Sequence, residues 1–126
     1  MDILCDTSFL IVLVSAPIKQ NHIVESHFGK LNFLVPDIVI DELKHLEKWA
    51  GPKRSKLSST AIKISYSKFN IVNIFKSENV DKSLIEYAVS HGCAIATIDR
   101  GLRMQCIKNN IPVITFSRNK LTVAAL

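Results

Sequence analysis

The sequence predicts a three-layer α/β/α fold, a parallel sheet between two sheaths of helices, and two observations carry that expectation. Short apolar runs alternate with longer segments of helical period along the chain, which is the pattern of strand–helix–strand crossovers. Two of those runs, Ile3-Leu4-Cys5 and Ala94-Ile95-Ala96-Thr97-Ile98, have little of the apolar/polar alternation of a half-solvated strand, and each delivers an aspartate, Asp6 and Asp99, where the strand must end. Continuous apolar strands belong inside a parallel sheet covered on both faces. Ligands of open parallel sheets collect beyond the carboxyl ends of the strands, where these two acids fall.

The elements follow in order. A strand over 2–5 turns at Asp6-Thr7-Ser8, whose hydroxyls can cap an almost wholly apolar helix over 9–14. Ala16-Pro17 breaks the chain, and a second helix over 18–28 closes at Gly29. A strand over 32–35 ends at Pro36; a helix over 37–50 opens on Pro36-Asp37 and stops at Gly51-Pro52. A basic amphipathic helix over 53–68 presents Leu57, Ala61 and Ile64 as its apolar stripe. A strand over 70–74, a turn over 77–79, a helix over 80–90 ended by His91-Gly92, a strand over 93–98, a helix over 99–108 and a strand over 111–116 complete the pattern. Residues 117–126 read as a short C-terminal tail, so one domain covers 1–126 with five strands, all parallel.

Composition narrows the function classes. With 126 residues and 48% hydrophobic content the chain can bury a core of its own. No run approaches the roughly 18 apolar residues of a membrane span, and the opening is not a signal peptide, so a cytoplasmic protein without a membrane partner is expected. Cys5, Cys93 and Cys106 share no metal-type spacing and read as buried thiols, which argues against a zinc site or a disulfide framework. The net charge of +5 admits a polyanionic partner. Basic residues gather in Lys53-Arg54-Ser55-Lys56, with Lys63 on the same helical flank as Lys56, and again in Arg100, Arg103, Lys108, Arg118 and Lys120. A solvated face that keeps the protein soluble is the plainer explanation.

Two further acids stand in unexpected places. On a wheel of about 100° per residue, Glu42 has Ile38, Val39, His45, Leu46 and Trp49 as its neighbours, which puts a carboxylate in an apolar face with Trp49 expected in the core. Asp81 leads the stripe Leu84, Ile85 and Ala88. Capping explains Asp6, Asp81 and Asp99 one at a time. Taken together, four acids from strand ends and first helical turns can meet at one sheet edge, where their repulsion calls for a cation. Oxygen-only ligands suit Mg²⁺ or Mn²⁺, and magnesium characteristically completes its shell with waters and substrate phosphates, which would join an acidic pocket to a basic surface. Glu42-x-x-His45 has a ligand-like spacing, but His45 is expected to be a packed or solvent-edge residue. Dehalogenase-type phosphatases would carry an aspartate where Ser8 stands, and receiver domains need adjacent acids before Asp6, so neither pattern is met.

Asp6-Thr7-Ser8, Val35-Pro36-Asp37-Ile38-Val39-Ile40-Asp41-Glu42-Leu43, Asp81-Lys82-Ser83-Leu84-Ile85-Glu86-Tyr87-Ala88 and Ala96-Thr97-Ile98-Asp99-Arg100-Gly101-Leu102-Arg103 resemble the successive motifs of PIN-domain ribonucleases, over nearly the whole chain. The resemblance implies a sheet order 3-2-1-4-5 and a metal-dependent endoribonuclease. In it Asp6, Glu42, Asp81 and Asp99 hold one or two Mg²⁺ or Mn²⁺ ions, and products carry 5′ phosphate and 3′ hydroxyl. Thr7, Ser8 and Thr97 would orient carboxylates or water; Lys53, Arg54, Lys56, Lys63, Arg100 and Arg103 would bind RNA. The segment 51–56 resembles archaeal members near the ribosome-biogenesis nucleases more than VapC toxins, so a ribosome-assembly partner, an antitoxin and a homodimer are all implied partners. Ser8, Ile98 and Lys82 depart from the family's usual Asn, small polar residue and second acid. A PIN-like scaffold that binds RNA or protein and cleaves little is the alternative.

Overall fold

A computed structural model describes residues 1–15, 29–118 and 120–125. Its six strands are β1 (Asp2–Cys5), β2 (Asn32–Pro36), β3 (Asn70–Val72), β4 (Ala94–Ala96), β5 (Val113–Ser117) and β6 (Lys120–Ala125). Five helices are described: α1 (Thr7–Ser15), α2 (Asp37–Trp49), α3 (Pro52–Lys68), α4 (Val80–His91) and α5 (Arg100–Lys108). The helix expected over 18–28 lies outside the described residues. Among them, no helix is long and apolar enough to cross a membrane.

The sheet order is β3-β2-β1-β4-β5-β6, so the expected 3-2-1-4-5 core is present and parallel throughout. The all-parallel expectation needs one correction. Residues 120–125 form β6, antiparallel to β5, with Leu121 opposite Phe116 and Lys120 opposite Ser117. Arg118, at φ 54, takes the left-handed conformation that reverses the chain between them. The expected C-terminal tail is therefore the edge of the sheet.

From β1 the chain progresses through β2 to β3, and from β4 in the opposite direction to β5, so right-handed crossovers place their helices on opposite faces. α1, α2 and α3 pack on one another, and α4 packs on α5. The interior is the pair of central strands and what covers them: Ile3, Leu4, Val35, Ala94, Ile95, Val113 and Ile114 are fully buried together with Phe9, Leu43, Leu84 and Leu102. Phe9 of α1 stacks between Phe33 and Phe116 at 6.2 and 5.0 Å. All three cysteines are buried and free, as expected.

Two details of the helical layer differ from the wheel. The buried stripe of α3 is Ser58, Ala61 and Ser65, with Leu57 and Ile64 half-buried beside it. Each buried serine donates to the carbonyl four residues back, Ser58 to Arg54 at 2.8 Å and Ser65 to Ala61 at 2.7 Å, so small hydroxyls can be buried where α2 comes close. Trp49, expected in the core, is 69% exposed.

A candidate acidic site at the strand switch point

The order of strands reverses between β1 and β4, which pair directly with Cys5 opposite Ala96. The Asp6 amide continues the ladder by donating to Ala96 O at 3.1 Å. Asp6 and Asp99 thus leave neighbouring strands at the crevice where open α/β sheets bind ligands. Both are helix caps: Phe9 N–H donates to Asp6 Oδ1 at 2.8 Å, and Leu102 N–H to Asp99 Oδ1 at 3.1 Å. Capping here orients the acid as well as satisfying the helix, because tying one oxygen to the first turn fixes where the other stands. Gly101 keeps room for this: a methyl group at its Cα would stand 3.2 Å from Asp99 Oδ1.

Asp6 is 7% exposed and fully hydrogen-bonded. Ser8 Oγ donates to it at 2.9 Å, and Thr97 Oγ1 makes a short bond to Oδ2 while accepting from Asp99 N–H at 2.9 Å. Thr97 therefore links the two acids through one buried hydroxyl. Ser8 Oγ also accepts from the Ile98 amide at 3.2 Å.

Capping does not explain Asp81. The cap of α4 is Asn79, whose side chain accepts from Lys82 N–H at 2.8 Å, leaving Asp81 one position inside the helix and turned to the crevice. Glu42 requires a correction: it is exposed, since the α2 face it shares with His45 and Trp49 looks out over the crevice rather than into packed side chains. Thr7 Oγ1 donates to its Oε1 at 2.7 Å and holds it there.

Asp6, Glu42, Asp81 and Asp99 line one cleft of about 320 Å³, with Thr7, Ser8, His45, Leu46, Arg54 and Val80 as its other walls. Burial pushes the Asp6 carboxyl from 3.8 up to about 6, with Asp81 adding to the push; the bonds from Thr97, Phe9 and Ser8 hold it down. Asp81 is raised by burial, then by Asp99 and Glu42. Among the described residues the only ion pair is Lys82 with Glu78, one turn apart and away from the cleft walls, so no described cation is paired with these acids. Burial, followed by Asp6 and Asp81, raises the neighbouring Cys106 thiol to about 12, so it stays protonated and is no nucleophile.

Of the basic residues expected at the site, Arg54 lines the cleft, and Lys53 joins it in an adjoining apolar pocket with Ile11, Leu57 and Ile98. Lys56, Lys63 and Arg100 are exposed outside the cleft walls, and Arg103 is half-buried there. His45 is the wall residue that sequence reasoning set aside; its place one turn from Glu42 was the available signal.

The donor set is four carboxylates with hydroxyl support and no thiolate, which suits a hard divalent cation. No three described His, Cys, Asp or Glu side chains stand close enough to form a ligand cage unaided. Magnesium sites commonly take only one or two carboxylates from the protein and complete the shell with waters and substrate phosphates.

An acid-lined cleft at the switch point of a 3-2-1-4-5 sheet defines a class of α/β domain, and a family model described as "PIN like domain" matches residues 3–120. The chain belongs to that family. Among solved structures it is similar to the PIN domain endonuclease Utp24, with TM-score 0.78 and 21% identity over 99% of this chain and 92% of that one. The Rickettsia felis VapBC2 structure, bound to a DNA fragment from its promoter, gives TM-score 0.64 and 12% identity over 93% of this chain and 100% of that one. A domain of a functionally unknown Methanocaldococcus jannaschii protein gives TM-score 0.60 and 14% identity over 92% and 91%. These likenesses are of fold. No curated protein matches the chain.

Proposed function

We propose that the protein is a divalent-metal-dependent endoribonuclease. The observation that carries this reading is that Asp6, Glu42, Asp81 and Asp99, from four separate elements, line one cleft, with no cationic side chain paired to them among the described residues. Those four residues would hold Mg²⁺ or Mn²⁺. Bound there, the ion supplies Lewis acidity, lowering the pKa of water and offsetting charge on the phosphate. Thr97 and Ser8 keep Asp6 in one orientation, and Thr7 does the same for Glu42. Arg54, in the same wall, would take a non-bridging phosphate oxygen of the strand. Water attacks phosphorus in line and the 3′ oxygen leaves, giving 5′ phosphate and 3′ hydroxyl ends.

Between the two roles we favour RNA processing over a toxin, on the resemblance of residues 51–56 to the ribosome-biogenesis branch of the family. The test is cleavage of single-stranded RNA with and without Mn²⁺. Wild type should cut only with metal, and Asp6→Asn and Asp99→Asn should each lose the activity while remaining folded. Wild type and both variants leaving RNA equally intact across metals, while still binding it, would replace the enzyme with an RNA-binding scaffold.

A further inference from the structure

Trp49 is the only tryptophan of the chain and is 69% exposed at the last residue of α2. No other large exposed apolar residue lies on that helix. Seven residues separate it from Glu42, which puts the two within about 20° on the helix and roughly 10 Å apart along its axis. His45 and Leu46, between them, line the cleft. One helix face thus runs from the acidic cleft to the indole.

The chain around the indole is cationic. Residues 48–56 contain Lys48, Lys53, Arg54 and Lys56 and no acid. The nearest preceding acid, Glu47, lies about 160° away on the helix. Lys48 Nζ lies over one face of the ring, 5.2 Å from its centroid, which leaves the opposite face for a base. The turn is fixed to the helix end, since Ser55 Oγ donates to Glu47 O and Ala50 N–H to Leu46 O. Arg54 connects this basic turn to the cleft wall. An exposed aromatic ring beside a basic turn is how proteins hold single-stranded nucleic acid, by stacking bases and pairing phosphates.

We infer that Trp49 is a stacking platform for a base of the RNA strand one to two nucleotides from the cleaved bond, with Lys53, Arg54 and Lys56 on its phosphates. This rests on the nuclease reading for the strand's place in the cleft. Titration of the protein with an eight-nucleotide single-stranded RNA in EDTA reads the platform directly, because all tryptophan emission comes from Trp49. Saturable quenching is expected. An oligonucleotide with abasic sites should quench little, and Trp49→Ala should weaken binding about tenfold by anisotropy of a labelled strand, with Trp49→Phe within about threefold of wild type. Equal quenching by the abasic strand, or wild-type affinity in Trp49→Ala, would overturn the inference. So would a change of oligomeric state in Trp49→Ala with RNA binding intact, which would make the indole a protein contact. Cleavage with Mn²⁺ is measured in parallel: binding and quenching without cleavage removes the nuclease reading and leaves the platform. Cleavage with Trp49→Ala binding normally removes the platform alone.

Discussion

Replacing Asp6 by asparagine should make the metal-free protein more stable at pH 7 while abolishing cleavage. Burial lifts this carboxyl from 3.8 to about 6. The folded chain therefore binds more protons than the unfolded chain across that window, and the contribution of Asp6 is most favourable below it, declines as pH rises through it and is level above about 6. At about 1.4 kcal/mol per pH unit, the ionised group costs about 3 kcal/mol at pH 7 and less than about 1 kcal/mol at pH 4. Asparagine keeps an acceptor for Phe9 N–H and presents donors to the Thr97 and Ser8 hydroxyls. Allowing about 1 kcal/mol for rearranged hydrogen bonds leaves a gain of about 1–3 kcal/mol, or about 3–10 °C in Tm for a chain of this size. Thermal unfolding of both proteins in EDTA at pH 4 and pH 7 measures it. An Asp6→Asn protein that is less stable at pH 7, or a difference that does not change between the two pH values, would refute the reasoning.

Thr97→Val removes the hydroxyl that joins Asp6 to the Asp99 amide, and should cost about 1–3 kcal/mol in urea unfolding. It also removes a bond that holds the Asp6 pKa down, so the rise of cleavage with pH should move to higher pH. Asn79→Ala uncaps α4, the helix that carries Asp81, and should lower stability by about 1 kcal/mol by the same assay. Arg54→Ala should weaken RNA binding and reduce the slope of log affinity against log salt by about 0.7, read by anisotropy over a salt series.

The sheet was legible because its central strands are buried on both faces and announce themselves as short apolar runs ending in acids; the pairing of β1 with β4 was implied by the family resemblance and not by those runs. The edge was not: Leu121-Thr122-Val123-Ala124-Ala125 is short and weakly alternating, and only the left-handed Arg118 and the partner strand make it β6. A helical wheel put Glu42 and Trp49 on one face of α2 but took that face to be packed, whereas it borders an open cleft and then solvent. The stripe of α3 was misread for a related reason. Serines that bond to their own helix are buried as easily as leucine where two backbones approach, and hydropathy does not register that.

Diffraction at the manganese edge from crystals soaked in Mn²⁺ tests the central claim most directly. The account predicts an anomalous peak in the cleft about 2.1 Å from carboxylate oxygens of at least two of Asp6, Glu42, Asp81 and Asp99. A cleft without a peak at saturating Mn²⁺, or an ion bound only elsewhere on the surface, would contradict it.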